Sequence, residues 1–516
     1  MKILLISPKY DLFPVGIAYV ASSLKKAGHD VHCHAYENPE KLREKLGDNF
    51  DLAATGGLSL QFKGIKEIVS VVKSTNTRII IGGGIVTSEP EFISRALEVD
   101  YAVIGEAEVT AVQLLDCLAR NGDLSSVDGI GYFEDNNFLQ TKDRKQNDTL
   151  DDLPYPDIDG FNYIDFLDNA KPSGTYYYDI YDYPREYPLV ASRSCPFLCT
   201  FCYHPVGNKY RQRSVKSIME ELKVVIPKYR INIVGVYDEL FSYNEERVYE
   251  FCREFKEFTS KLSWEVKWSC QMRVSGLKDE MLDAMKDSGC FMICFGFESY
   301  SAIVLKSMNK KITPEQIHHA VHAMIDRNIS IQAGFIFGDK AETLQTTKET
   351  LDFWKDHLEA GIMLGYIVPC PDSEMYRHCI RKGLIKDRLH FIENDMGKKI
   401  FNMTELSKDE FFKIRSLLFK YNHRYRISAI IMNTEPDTLI IKCPHCREVV
   451  RYNNFKLTGR LFNRIMYCRN CRKRFLAVSR LSHLANKLIG IASTPGIYRL
   501  AVKMRDSVLR FRTFHT

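Results

Sequence analysis

Cys195, Cys199 and Cys202, in the run SRSCPFLCTFC, are separated by three and then two residues and follow a predicted strand. Three thiolates in one short loop can hold three irons of a 4Fe-4S cube and leave the fourth open, free to chelate an amino acid's amine and carboxylate. An electron leaving such a cube can enter a sulfonium held beside it. Loops seldom collect three structural cysteines, so a metal site is the preferred reading.

A second set lies downstream. Cys443 and Cys446 in CPHC and Cys468 and Cys471 in CRNC are separated by 21 residues. Two facing CxxC turns make a tetrahedral four-thiolate site, which suits zinc and folds a segment too small to stand alone. A mononuclear iron or an auxiliary cluster is the alternative. The other eight cysteines are scattered and read as small buried hydrophobes, apart from Cys370, whose loop position makes it a candidate for a catalytic role. The apolar run between Lys2 and Pro8 is too short for a signal peptide, so grouped cysteines are expected to serve metals in a reducing cytoplasm.

These loops need elements to hold them. Ile3 to Ile6, Leu52 to Thr55, Arg78 to Gly84 and Tyr101 to Ile104 read as strands, with helical patterns between them at Gly16 to Ala27, Gly64 to Lys73 and Glu89 to Leu97. The alternation predicts an α/β, doubly wound, Rossmann-like domain over residues 1–133, with ligand sites beyond the carboxyl ends of its strands. There, Gly82, Gly83 and Gly84 let backbone approach a large ligand, and Gly57 and Ser59 offer a small surface beside it. After a polar linker over 134–185, strands are predicted at Leu189 to Ser192, Ile233 to Tyr237, Glu265 to Cys270, Met292 to Phe297, Ile331 to Phe337 and Gly361 to Val368. They fit a partial parallel (β/α) barrel over 186–385 with chemistry at its C-terminal mouth. Residues 386–436 read as a helical extension, 437–478 as a zinc-ribbon-like module and 479–516 as a basic amphipathic tail.

The CxxxCxxC run, with Phe201 before its last cysteine, resembles the signature of radical S-adenosylmethionine enzymes. YRQRS (Tyr210 to Ser214), VYDELF (Val236 to Phe241), CFGFES (Cys294 to Ser299), LKSMNKKIT (Leu305 to Thr313) and GFIFGDKAET (Gly334 to Thr343) follow in order. That pattern is similar to the subgroup with an N-terminal cobalamin-binding domain, which FPVGIAYVASSLKKAGHDV, IGGGIVTSEPE and DYAVIGEAEVT also resemble. The resemblance implies Cys195, Cys199 and Cys202 as cluster ligands and Phe201 beside the adenine of S-adenosylmethionine. It implies Asp238 and Glu239 at the methionine amine, where an ammonium needs an anionic acceptor, and Glu298 and Ser299 at the ribose and methionyl part. For cobalamin it implies Gly57, Ser59, Gly82, Gly83, Gly84 and Phe13. Phe13 stands in DLFPVG where some cobalamin domains carry a cobalt-ligating histidine, so the lower face of cobalt would be free of histidine.

Two turns depart from that pattern. Asp339, Lys340 and Ala341 precede Glu342 and Thr343 where Pro-Gly is usual, and Pro369-Cys370-Pro371-Asp372-Ser373 replaces Pro-x-Pro-Gly-Thr. Losing both glycines is expected to change the backbone at the substrate mouth, so no relative's substrate is carried over.

The resemblance implies cleavage of S-adenosylmethionine to methionine and a 5′-deoxyadenosyl radical, with cobalamin delivering a methyl group to an unactivated carbon. A small-molecule or lipid substrate and an electron donor such as flavodoxin or ferredoxin follow. Radical cyclisation, rearrangement or oxidation is a related alternative. An RNA-modifying methylthiotransferase-like enzyme is another, disfavoured because Cys33 and Cys117 are the only N-terminal cysteines; a non-enzymatic cobalamin or redox sensor is the third.

Composition agrees with an enzyme of several folding units. Of 516 residues 45% are apolar and 26% charged, which excludes wholesale disorder, and the net +6 is too small for a nucleic-acid coat protein. The excess sits in the tail. There Ile497, Leu500, Ala501, Met504, Val508 and Phe511 form one stripe opposite Arg499, Lys503 and Arg510. Packing of this helix on the barrel is favoured over an interfacial helix on anionic lipid, which would make the protein peripheral at the inner membrane face.

Overall fold

The computed structural model describes residues 1–9, 12–172, 178–435, 437–455 and 463–492. The expected tail helix from Ile497 to Phe511 lies outside them. Among the described residues no helix is long and apolar enough to cross a membrane.

The N-terminal sheet has strands β1 (Lys2–Ser7), β2 (Asp30–Ala35), β3 (Leu52–Gly56), β4 (Arg78–Gly82), β5 (Tyr101–Val103), β6 (Ile130–Glu134) and β7 (Asn137–Gln140), in spatial order β2-β1-β3-β4-β5-β6-β7. The first five are parallel; β6 and β7 add antiparallel strands at one edge. Leu4 and Ile6 enter one apolar cluster and Ile3 and Leu5 another, because helices cover both faces of the sheet. The order reverses between β1 and β3, the switch point at which such sheets bind ligands. Two features differ from expectation. The edge strand β2 (DVHCHA) carries polar side chains that hide it among loops, and the linker is partly built, since β7 and the helix Tyr163–Asp168 occupy it.

The central sheet comprises β8 (Glu186–Leu189), β11 (Ile233–Val236), β12 (Lys267–Met272), β13 (Cys290–Glu298), β14 (Ser330–Phe337) and β15 (Met363–Tyr366). All pair in parallel and in chain order, so six βα repeats form an open, partial barrel. Trp268, fully buried against Phe241 and Phe251, anchors its wall. The expected strand Leu189 to Ser192 is broken. β8 stops at Leu189, and a short β9 (Ser192–Arg193) pairs antiparallel with β10 (Arg211–Gln212).

The C-terminal module is a five-stranded sheet of β16 (Ser428–Glu435), β17 (Thr438–Lys442), β18 (Val449–Asn453), β19 (Asn463–Tyr467) and β20 (Arg474–Val478). β16 lies inside the stretch expected to be helical; the extension's helix, Lys408–Arg424, ends before it. The module seals the N-terminal end of the barrel. Tyr467 packs with Ile233, Phe291 and Met292, Arg472 donates to the Ser330 hydroxyl at 3.0 Å, and the Arg474 guanidinium donates to the Gly361 carbonyl. All of these contacts fall at strand starts, opposite the mouth.

Candidate functional site

The cysteine loop follows β9 at the mouth and is held from three sides. Ser194 enters it with φ of 68°, and the Arg273 guanidinium lies 3.6 Å from the Phe197 ring centroid. The segment after the helix Ala302–Ser307 cradles the loop: Thr200 donates its N–H to Met308 O at 3.0 Å, and Asn309 Nδ2 donates to Leu198 O at 2.7 Å. Burial raises the Cys195 thiol and pushes the Cys202 thiol up to about 12, with Cys199 and Glu239 adding to the latter. The three thiols and Glu239 thus share one site, and a metal ion must displace the protons.

The strand-end residues divide. Asp238 is buried and engaged: Oδ1 accepts the N–H groups of Ala191 and Ser192 at 2.7 and 2.8 Å, and Oδ2 accepts the Ser192 hydroxyl at 2.7 Å. Through these bonds it braces the β8–β9 break that leads into the cysteine loop. Glu239, its neighbour, is exposed at the mouth; surrounding protein, then Asp238, pushes its carboxyl up to about 7. Glu298 ends β13 at φ of 62°, a strained value for a side-chain-bearing residue, and pairs with Lys310 at 2.8 Å. Lys310 Nζ in turn lies 5.8 Å from the Phe201 ring. Ser299 is buried and tied to Thr350 at 3.2 Å and to the Ser301 N–H.

The N-terminal domain covers this mouth. Tyr203, just past the last cysteine, donates its hydroxyl to Gly84 O at 2.9 Å. A Cβ on Gly83, at φ 83°, would stand 2.9 Å from Gly57 O, so the turns after β3 and β4 can meet only as glycines. Beside them Leu58 and Leu60 are 47% and 65% exposed, and the buried Thr55 hydroxyl has no partner. Ser59 is buried in the turn Ser59–Gln61. Phe13 stands apart: its ring packs edge-on to Tyr163 and Phe166 and lines a cavity of about 700 Å³ beyond β1 and β2. The structure does not bring it to the glycine turns.

Charge locks the two domains. Glu106 and Glu108, from GEAE at the start of the helix Ala107–Ala119, reach the barrel loop: Arg193 bonds Glu106 at 3.0 Å and Glu108 at 2.5 Å, and Arg211 bonds Glu106 at 2.8 Å. All four side chains are at most 14% exposed. Sequence reading missed this clamp because its members lie in three separate motifs.

Two family models match the chain: B12 binding domain over residues 1–115 and Radical SAM superfamily over 189–353. The chain belongs to the radical SAM enzymes that carry a B12-binding domain. An uncharacterized methyltransferase from Pyrococcus horikoshii is 26% identical over 79% of this chain and 90% of its own length. The anaerobic magnesium-protoporphyrin IX monomethyl ester cyclase of Rubrivivax gelatinosus is 25% identical over 73% and 70%. Among solved structures, the radical S-adenosylmethionine methyltransferase TsrM from Kitasatospora setae superposes with a TM-score of 0.61 at 14% identity, covering 73% of this chain and 76% of its own, a likeness of fold.

In this radical SAM enzyme the residues present fit the cofactors of the family. The three thiols offer a cluster its donor set, while the glycine turns, the exposed Leu58 and Leu60 and the unpartnered Thr55 hydroxyl suit a large ligand with apolar faces. At the C-terminal site the four sulfurs lie within 4.8 Å of one another, with Cys443–Cys471 at 3.8 Å and Cys446–Cys468 at 3.7 Å. Sulfurs at 2.3 Å from a tetrahedral zinc stand about 3.8 Å apart, the spacing these two pairs already have. Hydrogen bonds among the thiols lower Cys443 and raise Cys468 and Cys471, so a metal must displace protons from the set to bind all four.

The backbone at the two departing turns bends without the pattern's glycines. Asp372 adopts φ of 70° where the family pattern has glycine, and Gly338 carries the positive φ of its turn while Asp339 Oδ1 accepts the Ala341 N–H. Cys370 packs against an apolar cluster, and burial raises its thiol, the opposite of an activated nucleophile.

Proposed function

We propose that this radical SAM enzyme is a cobalamin-dependent methyltransferase acting on a small molecule. The observation that carries the proposal is the Tyr203–Gly84 hydrogen bond of 2.9 Å, by which the ligand face of the B12-binding domain meets the cysteine loop. Bound there, the cluster and cobalamin supply one-electron chemistry and a methyl carrier.

The chain's residues supply the positioning. Cys195, Cys199 and Cys202 would hold the cluster, and Asp238 and Arg273 fix their loop. Phe201 offers a flat apolar face, backed by the Lys310–Glu298 pair, to an adenine. Glu239, whose carboxyl burial and then Asp238 push up to about 7, would take its anionic form beside an ammonium, which favours the charged carboxylate. Gly82, Gly83 and Gly84 with Gly57 and Leu58 form the floor of the cobalamin face, and the domain above excludes water from the mouth.

The test is anaerobic reconstitution, then incubation with methyl-labelled S-adenosylmethionine and a cell extract. A cobalamin absorbance spectrum, a cluster signal in electron paramagnetic resonance and label in a small-molecule product are expected. No cobalamin spectrum at saturating cofactor, or an unlabelled product formed along with 5′-deoxyadenosine, would overturn methyl transfer. Release of 5′-deoxyadenosine by Cys199→Ala would overturn the cluster assignment.

A further inference from the structure

Three histidines meet on the outer wall of the barrel, away from the mouth. His318 and His322 are four residues apart on the helix Pro314–Asp326, which places them on one face. His357 caps the C-terminus of the neighbouring helix, Leu344–Asp356. One ring nitrogen from each lies within 4.8 Å of the others. We propose that these residues form a second metal site, taking a divalent ion that favours imidazole, with zinc as the case argued here.

Geometry supports it. His357 Nδ1 stands 2.9 Å from Phe353 O, and since a carbonyl only accepts, Nδ1 carries the proton and Nε2 the lone pair. This is the backbone contact that orients metal-bound histidines. The same ring stacks on Phe353 at 4.2 Å and 28°, which fixes its plane. His357 Nε2 then faces His322 Nε2 at 3.3 Å. Two nitrogens at 2.0–2.1 Å from one tetrahedral zinc stand about 3.3 Å apart, so the spacing already equals that of ligands sharing an ion. His318, its ring centroid 4.3 Å from that of His322, supplies the third nitrogen, and solvent the fourth position.

The ion would tie together the two helices that flank β14, close to Leu358–Ala360, where the C-terminal module also docks. The site is thus a staple on the barrel wall, separate from the cysteine sites in position and in ligand type. Nitrogen donors admit zinc, copper and nickel, whereas the thiolate sets select zinc or iron–sulfur clusters.

The experiment uses the full chain with its cluster reconstituted and its four-cysteine site already filled with zinc. Equilibrium dialysis against micromolar Zn²⁺ is expected to add one further equivalent, with nitrogen and oxygen ligands in zinc K-edge absorption, and to raise the melting temperature. At 100-fold excess over Kd the folding equilibrium gains about 100-fold, or roughly 2.7 kcal/mol. His322→Ala and His357→Ala should each lose that equivalent and the melting shift, while keeping the first zinc and the metal-free melting temperature. Failure of the wild type to bind a further zinc, sulfur ligation of that zinc, or unchanged binding in both His322→Ala and His357→Ala would overturn the proposal.

Discussion

Glu106→Ala tests whether the domain clamp positions the catalytic mouth. Glu106 is 10% exposed and faces Arg193, 14% exposed, and Arg211, 2% exposed. Removing one partner of a buried ion pair costs about 3–5 kcal/mol, because the other charge stays behind without water. Here the low end applies: Arg193 keeps Glu108, and Arg211 keeps the Asn147 carbonyl at 3.0 Å and the Ser194 hydroxyl at 3.2 Å. A loss of about 3 kcal/mol is roughly a 150-fold change in the unfolding equilibrium. Urea unfolding followed by far-ultraviolet circular dichroism reads it. The sign with pH is fixed too. Burial raises the Glu106 carboxyl, but Arg211 and Arg193 outweigh burial and hold it below its ordinary 4.5. The stabilisation is therefore complete at neutral pH and is lost as pH falls below 4.5, where the gap between wild type and variant should close. Replacing Glu106 by Leu and Arg211 by Met together should cost less than Glu106→Ala alone, as apolar pairs often replace buried ion pairs without loss. A single variant within 0.5 kcal/mol of wild type at pH 7, on the order expected of surface substitutions, would refute the clamp.

Three further predictions concern side chains that the structure shows buried or clustered. Asp238→Ala strands two buried N–H groups, at 1–3 kcal/mol each, so a loss of about 2–6 kcal/mol and of cluster iron is expected, with Asp238→Asn retaining most of both; unchanged iron content with weakened S-adenosylmethionine binding would favour the ligand-amine role instead. Glu342 is 2% exposed and burial pushes its carboxyl up to about 7 from 4.5. Its raised value means stability is full below 4.5 and is lost as pH rises through 7, so Glu342→Gln should match wild type near pH 5 in thermal melts and exceed it near pH 8 by up to about 3 kcal/mol. Cys468→Ser should abolish zinc binding at the four-cysteine site and unfold the C-terminal module first, seen as a separate early phase in calorimetry; a single transition with zinc retained would argue against that site.

Much of this architecture is legible in the sequence because its signals are local. The cysteine spacing needs no tertiary information, and the apolar runs IVGV of β11 and CFMICFGFE of β13 are continuous since parallel strands are buried on both faces. What stays hidden depends on direction or on docking. Asp238 and Glu239 are adjacent, so alternation along an extended chain sends their side chains opposite ways, and only one can face the mouth. That rule was available and singles out one member of the pair, but not which. Ser299 looks like a mouth residue by position, yet its partner Thr350 lies on a helix 51 residues later. The clamp is harder still: Glu106, Arg193 and Arg211 look like ordinary surface charges until two domains are brought together.

The seam between those domains combines two kinds of contact with different consequences. Ile85 and Val86 of the N-terminal domain share one apolar cluster with Val304, Met308, Ile367 and Met375 of the barrel. Apolar burial is strong but has no direction, so a seam made of it alone would tolerate sliding. The arginine–carboxylate contacts add little net stability for the water they give up, but they are satisfied in one register only. In that register Tyr203 reaches Gly84, and the turns after β3 and β4 face the cysteine loop. Apolar area therefore accounts for the domains adhering, and the clamp for where the cobalamin face stops relative to the cluster.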